Sequence, residues 1–336
     1  MRATLAFFLF ALVVSVGKAD SGPSLPTIVD RHVLTGYSQL EATTRKLAQS
    51  ATANCAPSSE ALRSAFHESF DAWLGVSHLR FGPSEVDNRA FALAFWPDPR
   101  NKTRKALARL VAARDPIIQE PSAYKTLSVA ARGFFALEIL LFDSVLRSSG
   151  DAEYFCALTR AIASDVADTA REIAKDWRDD FKTEFNSFGG HYRTEREARQ
   201  EFFKALSTGL QFVSEARLGR PLGAFERPRP RRAEMRLSKR SLRNVNESLD
   251  ALRDLASQLA SNAPETAERL GLGFDAAREA ASKLIEDPVF SSVADVQGRL
   301  RVEVLQQRVD NIRRIVGGEL APALGVGQGF NALDGD

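Results

Sequence analysis

Two stretches of the chain carry side chains whose types and spacing could do chemistry. In Phe66-His67-Glu68-Ser69-Phe70-Asp71-Ala72-Trp73-Leu74-Gly75-Val76-Ser77-His78, residues four apart share a helix face. His67 and Asp71 then form a chelating pair for a cation, and Glu68, Asp71, Gly75 and His78 follow the same stripe. Two ligands on one helix do not complete a metal site, and the same pattern also describes a half-solvated amphipathic face. The second stretch, Arg132 to Asp143, sets Glu138 inside an almost continuous apolar helix, with Phe134 and Phe142 one turn away on either side. A lone buried carboxylate is costly, so Glu138 must meet a cation or a metal, or keep its proton at a raised pKa. An ion pair with an arginine such as Arg80 or Arg217 is the purely structural answer.

Other catalytic patterns are absent from the sequence. It has no glycine-rich phosphate loop, no His-Glu-x-x-His and no Gly-x-Ser-x-Gly, and His191 beside Gly189-Gly190 reads as a loop histidine.

The elements that must position these residues are helices. Apolar residues recur at helical spacing, as in Leu62, Phe66, Phe70, Trp73 and Leu74, and no alternating β-branched run competes with them. Ser58 and Ser59 after Pro57, Ser122 after Pro121, and the box Thr194 to Glu197 mark helix starts. Breaks fall at Phe81-Gly82-Pro83, Trp96-Pro97-Asp98-Pro99, Asp115-Pro116 and Ser187-Phe188-Gly189-Gly190. The expected fold is all-α, two packed bundles resembling four-helix bundles. One hairpin near Leu40 to Phe66 has a weak echo near Leu249 to Phe274, consistent with internal duplication or with chance in an Ala/Leu-rich chain.

Residues 1–19 read as a secretory signal peptide: Arg2, an apolar core too short to span a bilayer, and small residues before a cleavage point after Ala19. The expected compartment is the periplasm, with no integral membrane segment after cleavage. Removing this segment takes Arg2 and Lys18 from the 45 basic residues and nothing from the 43 acidic ones, leaving the mature chain formally neutral. That argues against nucleic acid as a partner. Two cysteines in an exported chain point to a disulfide, Cys55 to Cys156.

The expected organisation is an N-terminal bundle over 24–220, a connector over 221–235 and a C-terminal bundle over 236–336. In the connector, Glu226-Arg227-Pro228-Arg229-Pro230-Arg231-Arg232 combines prolines that block helix with arginines that keep it solvated, and a phosphate- or membrane-binding patch is the alternative to a plain exposed linker. The glycine-rich tail from Gly325 carries Phe330 and Leu333, which suggest that it docks back on the body.

Taken in order, several segments resemble the imelysin family of exported bacterial proteins. They are Ala72-Trp73 with His78-Leu79-Arg80-Phe81-Gly82-Pro83, Phe95-Trp96-Pro97-Asp98, Gly133 to Glu138, Glu215-Ala216-Arg217-Leu218-Gly219-Arg220-Pro221-Leu222-Gly223, and Gly329 to Asp336. The resemblance implies two helical bundles with a cleft at their interface and a link to iron acquisition in the envelope. It places Trp73, Arg80, Phe135, Glu138 and Arg217 around a ligand, with Glu138, Glu68 and His78 as metal-ligand candidates and iron as the candidate metal. Family members are also regarded as metallopeptidases through a Gly-x-His-x-x-Glu motif. Here Gly133 and Glu138 match, but Phe135 stands where histidine belongs, and a phenyl ring has no lone pair for a cation or proton. The expected role is therefore binding of a small ligand or iron species without peptidase chemistry at that motif. The alternatives are a metallopeptidase using His67, His78 and Glu68, or a helical docking module for an envelope uptake protein.

Overall fold

Local capping fixes where the helices begin. In the computed structural model, which describes residues 23–147 and 151–327, nine helices of ten residues or more carry the fold: α1 (Thr35–Ala53), α2 (Glu60–Val76), α3 (Lys102–Ala113), α4 (Gly133–Phe142), α5 (Ala152–Asp179), α6 (Glu195–Gln211), α7 (Ser241–Leu259), α8 (Pro264–Ser282) and α9 (Val296–Ile315). Ser59 caps α2 by accepting the Leu62 N–H, and Asp295 caps α9 through the Gly298 N–H. Thr194 caps α6 as expected, while Glu197 reaches back to accept from the Arg193 N–H at 2.7 Å. Ser122 is not a cap: it lies inside the short helix Pro121–Tyr124, whose first position is the proline. No β-strand is present among the described residues, so the all-α expectation holds.

α1 packs against both α2 and α5, and α4 lies on α5. Towards the C-terminus α8 packs on α7 and α9, α6 packs on α7 and α9, and α7 meets α2. The apolar core runs without a break from Leu25 to Leu324. Trp177, fully buried on α5, stacks on Tyr37 of α1 at 6.0 Å and meets Phe181 edge-on at 4.9 Å. Both hairpins of the sequence echo, α1–α2 and α7–α8, are present. Their presence carries no argument about common ancestry.

The basic connector is exposed in the middle but anchored at both ends. Pro221, Leu222 and Ala233 to Met235 are buried, and Arg299 of α9 donates to the Leu222 and Ala224 carbonyl oxygens at 2.7 and 3.3 Å. At the C-terminal end, Gln200 exchanges hydrogen bonds with the backbone of Gly327 at 3.1 and 3.0 Å. The signal-peptide segment, Phe330 and Leu333 lie outside the described residues.

The disulfide is present: Cys55 in the α1–α2 turn is bonded to Cys156 near the start of α5, 101 residues on. Closing a loop of this length restricts the unfolded chain, and such a bridge contributes about 3 kcal/mol. Cys55→Ser with Cys156→Ser is expected to lower unfolding stability by about that amount in urea titration. A reducing agent should bring the parent to the same midpoint while leaving the double variant unchanged.

Candidate functional site

Gly133 determines how α4 enters the site. Its φ is +74°, and a Cβ would stand 2.2 Å from the Ala92 carbonyl oxygen and 2.4 Å from that of Leu93. The start of α4 is thereby pressed onto the chain just before Trp96. Arg132 locks this arrangement to α5 through a two-pronged pair with Asp165, Nε to Oδ2 at 2.9 Å and Nη2 to Oδ1 at 2.7 Å, both residues buried.

From this base Phe135 stacks on Trp96, centroids 6.2 Å apart and planes 8° from parallel, and meets Phe70 of α2 edge-on at 5.9 Å. Trp96 in turn meets Phe212 at 5.8 Å. Beyond α6 the helix widens into a π turn, Phe212–Leu218. Arg217 on that turn lies 4.8 Å from the Phe212 ring and donates to Glu234 at 2.7 Å. The place of the motif histidine is thus filled by an aromatic layer edged with arginine.

Glu138, one turn along α4, points at the segment leading into α7. Its Oε1 accepts from the Ser238 N–H at 2.9 Å and from the Ser238 hydroxyl at 2.7 Å. The arginine partner expected from sequence is not there: Arg80 pairs with Glu85 and stacks over Phe91, and Arg217 is held by Glu234. Burial pushes the Glu138 carboxyl above its ordinary value, with the Ser238 bonds pulling the other way.

The folded state therefore holds the Glu138 proton more tightly than the unfolded chain, so this group removes stability as pH rises above 4.5. Glu138→Gln keeps an acceptor for Ser238 and abolishes the buried charge. It is expected to be more stable than the parent at pH 8, with the gap closing as pH falls towards 5, read as urea midpoints across pH. His67 acts in the opposite sense. Burial, then Arg240 and Arg243, lower its pKa to about 4, so the unfolded chain protonates first and stability falls as pH drops from 6.5. The two slopes separate because only the first is lost in Glu138→Gln.

The metal set read from sequence is not assembled, because each member is already satisfied elsewhere. Glu68 faces outward, paired with Lys46 at 2.6 Å and accepting from Ser64 at 3.0 Å. Asp71 is taken by Arg240 and Arg243, and Asp143 by Arg104. His67 Nδ1 meets the Arg240 guanidinium at 2.9 Å rather than joining Asp71 on a cation. Among the described residues no three His, Cys, Asp or Glu side chains are grouped to hold a metal ion. Phe135 offers no ligand atom and Glu138 is engaged by Ser238, so a bare iron ion does not fit the Gly133 to Glu138 window. Trp73 is buried on α2, and His191 sits at the surface, its ring against Phe181 and Tyr192.

His78 belongs to a relay invisible in the sequence. Its Nε2 is 2.8 Å from the His32 Nε2, and His32 Nδ1 is 2.6 Å from Asp254 Oδ2 on α7. With His32 donating through Nδ1 to the carboxylate, its Nε2 accepts, so His78 is the donor of the pair. His32 also sits on a π turn, Val29–Leu34. Glu234 is shared between Arg217 and the Asn244 amide, and Arg240, 1% exposed, reaches Asn244, His67 and Asp71. These buried charges join α2, the π turn after α6 and α7 into one polar layer.

The family model for imelysin, a peptidase family by designation, matches residues 33–316. This chain belongs to the imelysin family. An imelysin-like protein from Psychrobacter arcticum 273-4 superposes with a TM-score of 0.77 at 18% identity, covering 91% of this chain and 96% of the other. A putative iron-regulated protein A precursor from Parabacteroides distasonis ATCC 8503 gives a TM-score of 0.75 at 13% identity, covering 90% and 94%. At such identities the likeness is one of fold. A comparison with curated proteins gives no significant match. Among the described residues of this imelysin-family chain, no helix is long and apolar enough to cross a membrane.

Proposed function

We propose that this imelysin-family protein is exported to the periplasm and serves iron acquisition by binding a small organic ligand that carries iron as cargo, against Trp96 at the aromatic layer between α4 and the π turn after α6. The observation that carries this reading is the substitution at the motif: with Phe135 buried against Trp96 and Glu138 turned to Ser238, the motif offers a naked cation no ligand, and the half-buried Trp96 leaves an aromatic edge for a ring or chelate. The name of the Parabacteroides structure, an iron-regulated precursor, agrees with both iron and export. Trp96 with Arg220 over its ring supplies the aromatic and cationic contacts, and the buried Phe135, Arg217, Glu138 and Glu234 fix the surrounding geometry. The division into bundles on either side of 221–235 belongs to the same proposal, as does an envelope uptake partner that would receive the ligand. A peptidase built on His67, His78 and Glu68 would require all three to leave the partners they hold.

The test is calorimetric titration of the mature protein with ferric iron, haem and a ferric siderophore, beside Trp96→Ala and Glu138→Ala. Saturable binding of an iron complex that weakens at least tenfold in Trp96→Ala supports the reading. Bare ferric iron bound stoichiometrically and lost in Glu138→Ala would replace it with direct metal ligation, and no binding of any of the three would end it.

A further inference from the structure

The arginines of the connector are not solvated at random. Arg220 lies over the Trp96 ring at 5.6 Å, and its Nε is buried without a hydrogen-bond partner. The loop that follows folds back on it: Gly223 takes φ +56°, Ala224 pairs with Arg227, and the Arg229 N–H donates to the Pro221 carbonyl oxygen at 2.9 Å. The Arg232 N–H then donates to the Arg229 oxygen at 2.9 Å, closing a short turn. With Arg299 holding the carbonyls of Leu222 and Ala224, these bonds fold the arginine-bearing backbone of 221–232 back beside Arg220.

Arg220, Arg227, Arg229, Arg231 and Arg232 are crowded into residues 220–232, and among the described residues none of them forms an ion pair. Burial and the nearby Arg232 hold the Arg220 pKa below its usual range, and Arg232 with Arg227 does the same to Arg229. Five like charges in a loop whose one carboxylate, Glu226, pairs with none of them cost free energy that an anion would recover.

We infer that Arg220, set over the Trp96 ring, together with Arg229 and Arg232 of the loop folded back beside it, forms a binding site for an oxyanion, a phosphate or carboxylate group of a small ligand. Guanidinium forks suit both groups, and the Trp96 ring under Arg220 gives that guanidinium a fixed seat beside the anion. This rests on the proposed ligand site at Trp96 and names the chemistry at one end of its occupant. It can fail while that reading stands, because the probes below contain no iron.

Pyrophosphate and citrate are titrated into the mature protein by calorimetry, with Trp96 fluorescence as a second readout, and both are repeated in Arg232→Gln and Arg220→Gln. Arg232 is exposed, so its variant keeps the test open if Arg220→Gln folds poorly. Saturable binding of either anion, weakened at least tenfold in Arg232→Gln and by added salt, is the expected result. No saturable binding, or affinity unchanged in the variants, overturns it. Sedimentation with phosphatidylglycerol vesicles separates the sources. Vesicle binding that needs these arginines while both small anions fail would make the loop a lipid-headgroup contact and overturn the small-ligand site.

Discussion

Gly133→Ala is expected to cost about 4 kcal/mol, from the strain of a positive φ together with forced overpacking. The methyl group would have to occupy space 2.2 to 2.8 Å from backbone atoms of Ala92 and Leu93, and backbone cannot swing aside as a flexible side-chain tip can. Relief would require α4 to back away, unstacking Phe135 from Trp96 and drawing Glu138 from Ser238. The loss should appear in urea unfolding, with a drop in near-ultraviolet circular dichroism as the Trp96 environment changes. Gly75→Ala is the matched control. Its Cβ would meet nothing within 4 Å on α2, so the change should be neutral or gain up to about 1 kcal/mol. Equal losses at both positions would show that the close approach at Gly133 is not what holds α4 in place.

Arg217→Ala is expected to cost about 3–5 kcal/mol, because it strands Glu234. The side chains of the pair are 6% and 4% exposed, so water cannot replace the guanidinium, and the Asn244 amide alone would face the carboxylate. The informative comparison is Arg217→Met with Glu234→Leu, which removes both charges and keeps volume. That double variant should recover most of the loss, since a buried ion pair contributes little beyond an apolar pair of similar size. Urea midpoints of the singles and the double complete the cycle. A double variant as unstable as Arg217→Ala would show that the pair contributes more than mutual neutralisation.

The helices were legible because their information is local. The apolar spacing of Leu62, Phe66, Phe70 and Leu74 and the caps at Ser59 and Thr194 act within a turn or two, and the cysteine pairing followed from count and context. Glu138 was legible as an anomaly, an acid in an apolar helix, but its partner was not. Ser238 lies 100 residues away in a segment without periodicity, and serine gives no sign of which carboxylate it will meet. The metal set failed for a related reason. Shared helix faces bring His67 and Asp71 near one another, yet cannot show that Arg240 reaches both from another element. His32, Glu234 and Asp254 carried no sequence signal, because a buried polar layer is assembled by long-range packing that a linear pattern does not encode.

The π turns at Val29–Leu34 and Phe212–Leu218 carry a consequence for how such a layer is acquired and lost. A π turn closes i→i+5 bonds and so holds one residue more than the α-helical turn it interrupts. His32 and Arg217 both ride on such turns, so the flanking apolar stripes keep their register while one extra position is turned inward. Deleting a single residue from 212–218 would let that helix close to regular α geometry and swing its side chains by about 100° per residue. The fold has a route to survive that change, whereas Arg217 would leave Glu234. A single-residue deletion there is therefore expected to discard this chemistry without rebuilding the core around it.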